Sequence, residues 1–252
     1  MRILVTNDDG IDATGIGHLE TIASELSDDV WVVAPATEQS AKGHSISLRD
    51  PVRLRHFGGR RYSVDGTPAD CVMMGIRHVM AEGGVDLVLS GINRGANVAD
   101  DVTYSGTVAA AMEATLLGVP AIALSQEYRQ GEPIHWDTGR SHGADVIRRT
   151  LEVGWPKGVL ININFPPVPP GDVAGVEACR QGQHDFTLQK PQMRTDPFGR
   201  DYFWLAGWGL NVEDAPEGTD LHALLARKIS VTPIHLDMTH DATLERLTGA
   251  FA

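Results

Sequence analysis

RILVTNDDG, residues 2–10, runs from an apolar segment directly into two adjacent carboxylates, Asp8 and Asp9. A continuous apolar run predicts a strand that is covered on both faces, as in a parallel sheet. The two carboxylates repel each other, so they form either a solvated Asp-Asp-Gly turn or a site that holds a cation. The stretch alone leaves both interpretations open.

The rest of the chain repeats this pattern, with segments of helical periodicity between apolar runs. Strands are predicted at residues 2–6, 30–35, 61–65, 85–91, 120–125, 158–167 and 228–238. Helices are predicted at residues 15–26, 67–83 and 105–118. Such alternation indicates an α/β fold with a parallel sheet between two helical layers. Ligands then bind beyond the carboxyl ends of the strands, where Asp8 and Asp9 lie.

The expected organisation is a single domain over residues 1–252, with two additions to its core. Residues 43–65 alternate in polarity around a Gly-Gly pair, which predicts a β-hairpin excursion. Residues 180–218 are rich in Gly, Pro, Asp and Gln, which predicts an irregular extended arm and a candidate oligomer contact. The core then covers about 1–178 and 219–239, and a C-terminal tail covers 240–252.

Charge and cysteine content narrow the class of protein. The net charge of −12 over 252 residues argues against a nucleic-acid polymer or an anionic membrane as partner. The two cysteines, Cys71 and Cys179, form no metal-binding or disulfide pattern. No signal peptide precedes the acidic pair, and no run approaches the roughly 18 apolar residues that span a bilayer. A cytoplasmic location is therefore predicted.

Three polar loops should meet at the edge of the sheet that carries the acidic pair. Oxygen ligands such as Asp8 and Asp9 favour Mg²⁺, Ca²⁺ or Mn²⁺ over zinc. The loop TEQSAKGHSIS (37–47) offers the hydroxyl of Ser40 as a further ligand, and His44 as an anion contact or a polar residue without a direct role.

The loop SGINRGANVADDVTYSGT, residues 90–107, contributes two amides and the start of a helix. Asn93 and Asn97 offer neutral oxygens and N–H donors. The Ser-Gly-Thr at 105–107 begins an apolar helix, whose free N–H groups and dipole attract anions. The alternative is an ordinary N-cap formed by one of the two hydroxyl residues.

A site for a hard cation beside an anion site predicts metal-assisted hydrolysis of a phosphate ester. No GxxxxGK[ST] loop is present, which argues against an NTPase. No GxGxxG follows the first strand, so a dinucleotide oxidoreductase is weakly supported. Gly10 stands two residues after Asp8, so an Asp-x-Asp phosphatase fits poorly.

The motifs resemble the SurE family of metal-dependent nucleotidases, also called survival protein E. The resemblance rests on these stretches, in family order: ILVTNDDG, VVAPATEQSAKGHSIS, VDGTPADCV, DLVLSGINRGANVADDVTYSGTVAAAMEATLLGVPAIALS, LININFP and ISVTPIHLDMT. It implies a Rossmann-like three-layer sandwich with a mostly parallel central sheet, a β-hairpin extension and a C-terminal oligomerisation arm. It also implies hydrolysis of nucleoside 5′- and 3′-monophosphates, as a 5′-nucleotidase, by homodimers or homotetramers.

The resemblance also implies roles for individual residues. One divalent cation per subunit, Mg²⁺ or Mn²⁺, would be bound by Asp8, Asp9, Ser40 and Asn93. The residues that would face the phosphate are Asn97, Ser105, Gly106 and Thr107. Asp9 is predicted to orient or deprotonate the attacking water, and His44 to protonate the leaving oxygen. The alternatives are a broad-specificity acid phosphatase or exopolyphosphatase, and a nucleotide sensor without catalysis.

The chain departs from the family pattern at three places. Thr14-Gly15 stands where a Pro usually precedes the glycine that opens the first helix. Ala41 stands where a Gly usually follows the metal-binding serine. Arg227-Lys228 stands where a Gly-Tyr or similar pair usually precedes the C-terminal strand.

Overall fold

The computed structural model describes residues 1–184, 191–205 and 215–252. Its strands are β1 Arg2–Thr6, β2 Asp29–Pro35, β3 Leu54–His56, β4 Arg61–Val64, β5 Leu87–Arg94, β6 Ala121–Gln126, β7 Val159–Phe165, β8 Val176–Ala178, β9 Gln192–Thr195, β10 Asp201–Trp204 and β11 Ile229–His235. Its α-helices are α1 Thr14–Ser24, α2 Pro68–Met74, α3 Gly106–Leu116, α4 Trp136–Val153, α5 Asp220–Leu225 and α6 Asp241–Phe251.

The central sheet has the order β3-β4-β2-β1-β5-β6-β7-β11-β8 within the described residues. All neighbouring pairs are parallel except β3 with β4 and β7 with β11. Six neighbouring strands of this sheet lie in the order β4-β2-β1-β5-β6-β7. Numbered from one to six by their order in the chain, they follow the 3-2-1-4-5-6 arrangement of dinucleotide-binding folds. This confirms the predicted α/β class with a mostly parallel sheet. The order reverses between β1 and β5, which is where this arrangement opens a crevice for a ligand.

Helices cover both faces of the sheet because the side chains of each strand alternate between them. Ile3 and Val5 of β1 pack in a buried cluster with α1 and α4. Leu4, between them, packs in a second cluster with α2 and α3. The continuous apolar runs of the sequence are therefore explained by burial on both faces.

Thr67, the first residue of the helix predicted over 67–83, is the N-cap of α2 and forms a complete capping box. Its side chain accepts a hydrogen bond from the Asp70 N–H, and the Asp70 carboxylate accepts from the Thr67 N–H. The α-helix is shorter than predicted, because a π-helical turn over Gly75–Val79 follows it. Gly75 lies against Leu4, where an added Cβ would be 2.7 Å from Leu4 Cδ2.

Helix α4 was not among the predicted elements. Its sequence carries two glycines, which usually weaken a helix. Both glycines face neighbouring core residues: a Cβ on Gly139 would be 3.1 Å from Ile92 Cδ1, and one on Gly143 would be 2.8 Å from Ile22 Cδ1. The glycines therefore allow α4 to approach α1 and β5 closely.

The two predicted additions contain antiparallel hairpins. In the 43–65 excursion, β3 and β4 pair through a turn at Gly58 and Gly59, whose φ angles are +99° and +58°, and residues 43–53 form no strand. In the predicted arm, β9 pairs with β10 in a separate sheet, while residues 185–190 and 206–214 lie outside the described residues. Helix α6 occupies the predicted tail. Among the described residues, no helix is both long and apolar enough to cross a membrane.

Candidate active site

The turn after β1 places Asp8 beneath the start of helix α3. Asn7 holds this turn, since its amide accepts from the Gly10 N–H at 3.2 Å and donates to the Gly10 carbonyl at 2.9 Å. Asp8 is buried and its Oδ1 accepts a hydrogen bond from the Thr107 hydroxyl. Gly106 lies directly against the same side chain, because a Cβ there would be 2.7 Å from Asp8 Cβ. The acidic turn and the helix start thus form one packed unit.

Asp9 connects this turn to the neighbouring strand. Its Oδ2 accepts a hydrogen bond from the Arg94 N–H at the end of β5, over 3.2 Å. Thr6 and Ser90 are register partners in the β1–β5 pair, so both strands end at the same edge. The two carboxylates therefore lie at the reversal of strand order.

Burial sets the electrostatics of the acidic pair. Desolvation raises the pKa of Asp8 to about 6, and the nearby charge of Asp9 adds to the rise, while the Thr107 hydrogen bond opposes it. Desolvation also raises the pKa of Asp9, against the lowering effect of the Arg94 N–H. Ionising the two carboxylates therefore raises the free energy of the folded protein, and a bound cation would offset that increase.

A cleft of about 700 Å³ opens at this edge of the sheet. The predicted site residues on its wall are Asp8, Ser40, Asn93, Asn97 and Ser105. The remaining wall residues are Ala41, Arg94, Gly95, Ala96, Asp101, Tyr104, Glu127, Tyr128 and Gln130. The structure thus brings together predicted site residues that are up to 97 positions apart in the chain, Asp8 and Ser105.

The loop after β2 delivers Ser40 to the cleft. The N–H of Gln39 donates to the Asp8 carbonyl at 2.8 Å, which ties this loop to the acidic turn. The Ser40 hydroxyl donates to Glu38 Oε1 at 3.0 Å, so its oxygen lone pairs stay available to a cation. Asn93 donates from Nδ2 to the Gly95 carbonyl at 2.8 Å. Within the described residues, Asn93 Oδ1 accepts no hydrogen bond.

Asn97 is held rigidly by polar side chains that rise from β6 and β7. Its N–H donates to Asn164 Oδ1 at 2.8 Å, and its carbonyl accepts from Asn162 Nδ2 at 2.7 Å and from Asn164 Nδ2 at 3.2 Å. Its own amide donates to Ser125 Oγ at 2.8 Å. Asn162 and Asn164 were not predicted as site residues, although two asparagines in a buried strand are a usable signal.

At the helix start, Ser105 is the N-cap of α3: its hydroxyl accepts from the Val108 N–H at 3.0 Å. Thr107 is bound to Asp8, as described above. Both hydroxyls thus have structural partners, while the first N–H groups of the helix have no partner within the helix itself. The ordinary cap and the anion-attracting helix start therefore coexist.

His44 does not line the cleft. Its Nε2 lies 2.9 Å from Glu113 Oε2 on helix α3, two turns beyond the start of that helix. In this arrangement its ring nitrogen is engaged away from the acidic pair.

Two acidic side chains of the cleft wall were missed by the sequence reasoning. Asp101 lies 3.0 Å from His184 Nε2, and burial raises the pKa of Asp101. Glu127 accepts hydrogen bonds from the Ala96 N–H at 3.3 Å and from the Tyr128 N–H at 2.9 Å, and burial raises its pKa also. The available signal for Glu127 was its place directly after the apolar strand β6, at the same edge as the acidic pair.

Comparison with known proteins identifies the family. The family model described as "Survival protein SurE" matches residues 3–188. The chain belongs to the SurE family. Relatives named "5'-nucleotidase SurE" include one from Methylobacterium radiotolerans, 54% identical over 100% of both chains. Another, from Caulobacter vibrioides, is 50% identical over 99% of this chain and 95% of its own.

A solved structure of the SurE family has the same fold. It is titled "Crystal Structure of Sure Protein from Aquifex aeolicus" and matches with a TM-score of 0.85 and 36% identity, over 100% of both chains.

Two departures from the SurE pattern fall on left-handed backbone. Ala41 has a φ of +57° and Arg227 a φ of +58°. Glycine adopts such angles without strain, which explains why a glycine is usual at both positions. The chain carries side chains at both places and accepts the strain.

Proposed function

We propose that the protein hydrolyses nucleoside 5′- and 3′-monophosphates to nucleoside and phosphate, with one divalent cation, Mg²⁺ or Mn²⁺, per subunit. The observation that carries the proposal is the meeting of Asp8, Asn93 and the start of α3 in one cleft. The 5′-nucleotidase class is supported by full-length relatives of about 50% identity that carry this name. Action on 3′-monophosphates is the finer part of the proposal.

The oxygen groups around the acidic turn suit a hard cation. Asp8 and Asp9 would supply carboxylates, Ser40 a hydroxyl and Asn93 its amide oxygen, a set that favours Mg²⁺ or Mn²⁺. Within the described ranges, no group of three or more His, Cys, Asp or Glu side chains could hold a metal ion. A cation here therefore depends on the neutral oxygens as well as the carboxylates. The chemistry that such a cation supplies is charge neutralisation on phosphoryl oxygens and a lowered pKa of water.

The protein's own groups would position the phosphoryl group. The N–H groups of the first turn of α3 stabilise negative charge there, and the buried Asp8 behind them fixes the turn. The backbone N–H and carbonyl of Asn97 are both held by hydrogen bonds. Its side-chain amide would therefore lose little conformational entropy when it contacts a phosphate.

Asp9 is the proposed group that orients or deprotonates the attacking water, because it follows Asp8 directly and accepts a hydrogen bond from Arg94, a residue of the cleft wall. His44 could protonate the leaving oxygen only after its ring leaves Glu113. The acid role therefore has less structural support than the base role.

Phosphate release from AMP and GMP with Mg²⁺ or Mn²⁺ tests the proposal. We expect metal-dependent turnover, and a loss of about 100-fold or more in kcat for Asp9→Asn, because the amide cannot take a proton. The exposed Asp12→Asn is the matched control, since it makes the same change three residues away and should keep full activity. Full activity of Asp9→Asn at saturating metal would contradict the assignment.

The alternatives have separate outcomes. A broad acid phosphatase or exopolyphosphatase would hydrolyse simple phosphate esters or polyphosphate as efficiently as nucleotides. A nucleotide sensor would bind AMP in calorimetry and release no phosphate. The acidic pair favours catalysis, because simple phosphate binding does not require two carboxylates.

Cation binding should couple to pH through Asp8. Its raised pKa means that the proton stabilises the metal-free fold, fully below the ordinary pKa of Asp and progressively less as pH rises through about 6. A cation competes with that proton, so Mn²⁺ should raise Tm more at pH 7.5 than at pH 5. At a hundredfold excess over Kd the gain is about 2.7 kcal/mol. Thermal unfolding with and without Mn²⁺ measures this, and equal shifts at both pH values would contradict it.

Assembly and location remain predictions. A homodimer or homotetramer is consistent with the apolar residues exposed on β10 and α6, which include Phe203, Trp204 and Phe251. Light scattering would determine the assembly. The cytoplasmic location is expected from the sequence alone.

A further inference from the structure

A second, smaller pocket adjoins the cleft. Its volume is about 190 Å³. Glu127 and Tyr128 line both cavities, so these two residues lie between them. The other residues of this side pocket are Arg129, Pro167, Val168, Leu221, Leu224, Leu225 and Arg227.

The side pocket lies at the right place for the far end of a nucleotide. Asn93 of the cleft is at the end of β5, whereas the side pocket follows the ends of β6 and β7. Neighbouring strands are about 4.8 Å apart, so β5 and β7 are separated by about 10 Å. Phosphate and base lie at opposite ends of the ribose. A nucleotide with its phosphate at β5 is therefore long enough for its base to reach the ends of β6 and β7.

The walls of the side pocket suit a flat, mostly apolar group with hydrogen-bond acceptors at its edge. Val168, Leu221 and Leu224 supply apolar surface, and Tyr128 an aromatic ring. Arg129 and Arg227 supply donors. Within the described residues, neither guanidinium group forms an ion pair or a hydrogen bond, although acidic residues outnumber basic ones by 33 to 21 in this chain.

The backbone at Arg227 adds an independent observation. Its φ of +58° follows helix α5, where its N–H donates to the Leu224 carbonyl at 3.0 Å and its carbonyl accepts from the Ala174 N–H at 2.8 Å. Those backbone bonds would be kept by a glycine, which would also be free of strain. The side chain is thus retained at a conformational cost, a pattern that is common at functional sites.

We propose that the side pocket receives the base of the nucleotide, and that Arg129 and Arg227 make the site prefer a 6-oxopurine, as in GMP, over adenine. This inference rests on the proposed function, because it places the phosphate in the neighbouring cleft.

The preference follows from the donor character of arginine. A guanidinium group only donates, and its two-pronged edge matches the O6 and N7 acceptors of guanine. Adenine presents a donor, N6–H₂, next to N7. One of the two guanidinium N–H donors would therefore face another donor instead of an acceptor. Glu127, the carboxylate of the pocket, already accepts two backbone hydrogen bonds. The hydrogen bonds that distinguish guanine from adenine therefore come mainly from the two arginine side chains.

Kinetics on GMP, AMP and 4-nitrophenyl phosphate test the inference in the full chain with Mn²⁺. We expect kcat/KM for GMP to exceed that for AMP about tenfold. Arg227→Gly should remove most of this ratio through KM, with kcat and the hydrolysis of 4-nitrophenyl phosphate unchanged, because that ester has no base. The variant should also melt at a higher temperature, since glycine relieves the strain, so a folding defect is not the cause. Arg77→Ala, an exposed arginine outside both cavities, is the charge control.

The outcomes separate this inference from the proposed function. An equal GMP-to-AMP ratio in the wild type and in Arg227→Gly would overturn the base pocket even if both nucleotides are hydrolysed. If no nucleotide is hydrolysed but calorimetry shows tighter binding of GMP than AMP, lost in Arg227→Gly, the pocket is supported and hydrolysis fails. A change in oligomer mass without a change in ratio would mean that a second copy of the chain covers the pocket, which also overturns the inference.

Discussion

Asp8→Asn is expected to abolish phosphate release and, at the same time, to raise the Tm of the metal-free protein at pH 7.5. Asp8 is buried, and its pKa of about 6 means that its charged form destabilises the fold. The shift from 3.8 to about 6 corresponds to about 3 kcal/mol above pH 6. Asparagine keeps an oxygen that accepts the Thr107 hydrogen bond but carries no charge. Activity should fall about 1,000-fold, because a charged group of the site is lost.

The pH dependence distinguishes this effect from a general change in packing. A raised carboxyl pKa costs stability fully above about pH 6, and the cost disappears as pH falls toward 3.8. The advantage of Asp8→Asn over the wild type should therefore shrink between pH 7 and pH 4 in thermal unfolding by circular dichroism. Asp12→Asn, which changes an exposed carboxylate, should show no such advantage. If Asp8→Asn had a lower Tm than the wild type at pH 7.5, the charged Asp8 side chain would not destabilise the fold.

Gly106→Ala should damage both stability and activity. The added Cβ would lie 2.7 Å from Asp8 Cβ and 2.8 Å from Asp8 Oδ2, so the helix start or the carboxylate must shift. Overpacking of this kind costs about 1–3 kcal/mol, and a displacement of about 1 Å at a catalytic group can cost about 100-fold in rate. Urea unfolding and kcat would both report the change.

Gly17→Ala is the matched control for that substitution. Gly17 lies within helix α1, and a Cβ there would meet no atom within 4 Å. It should stabilise the protein by about 0.5–1 kcal/mol and leave kcat unchanged, because alanine favours a helix. If Gly106→Ala behaved like Gly17→Ala, the close packing of the helix start on Asp8 would not matter for catalysis.

The parts predicted from the sequence are those in which local chemistry and the global fold agree. The strands β1, β2, β5, β6 and β7 are short, continuous apolar runs. Such runs are typical of a parallel sheet that is covered by helices on both faces. The caps at Thr67 and Ser105 are local, since each side chain bonds a backbone group three residues away. The presence of Asp8 and Asn93 in one cleft also followed, because parallel strands end at the same edge of the sheet.

The remaining parts depend on contacts that no local pattern contains. The glycines of α4 resemble helix breakers until Ile22 and Ile92 are known to lie against them. That Glu127 and Tyr128 line the cleft can be recognised only when the order of β5, β6 and β7 is known. The left-handed angle at Arg227 is visible only in the backbone.

The reversal of strand order between β1 and β5 has a consequence for how the protein can be followed as it folds. Asp9 and Arg94 are joined across 85 positions of chain, so the acidic pair exists from the first strand onward but has no partner loops until β5 docks. Long-range strand pairing is the slow part of folding, and local helices form much earlier. The moment at which refolding protein first takes up Mn²⁺ would therefore time the joining of the two halves of the sheet.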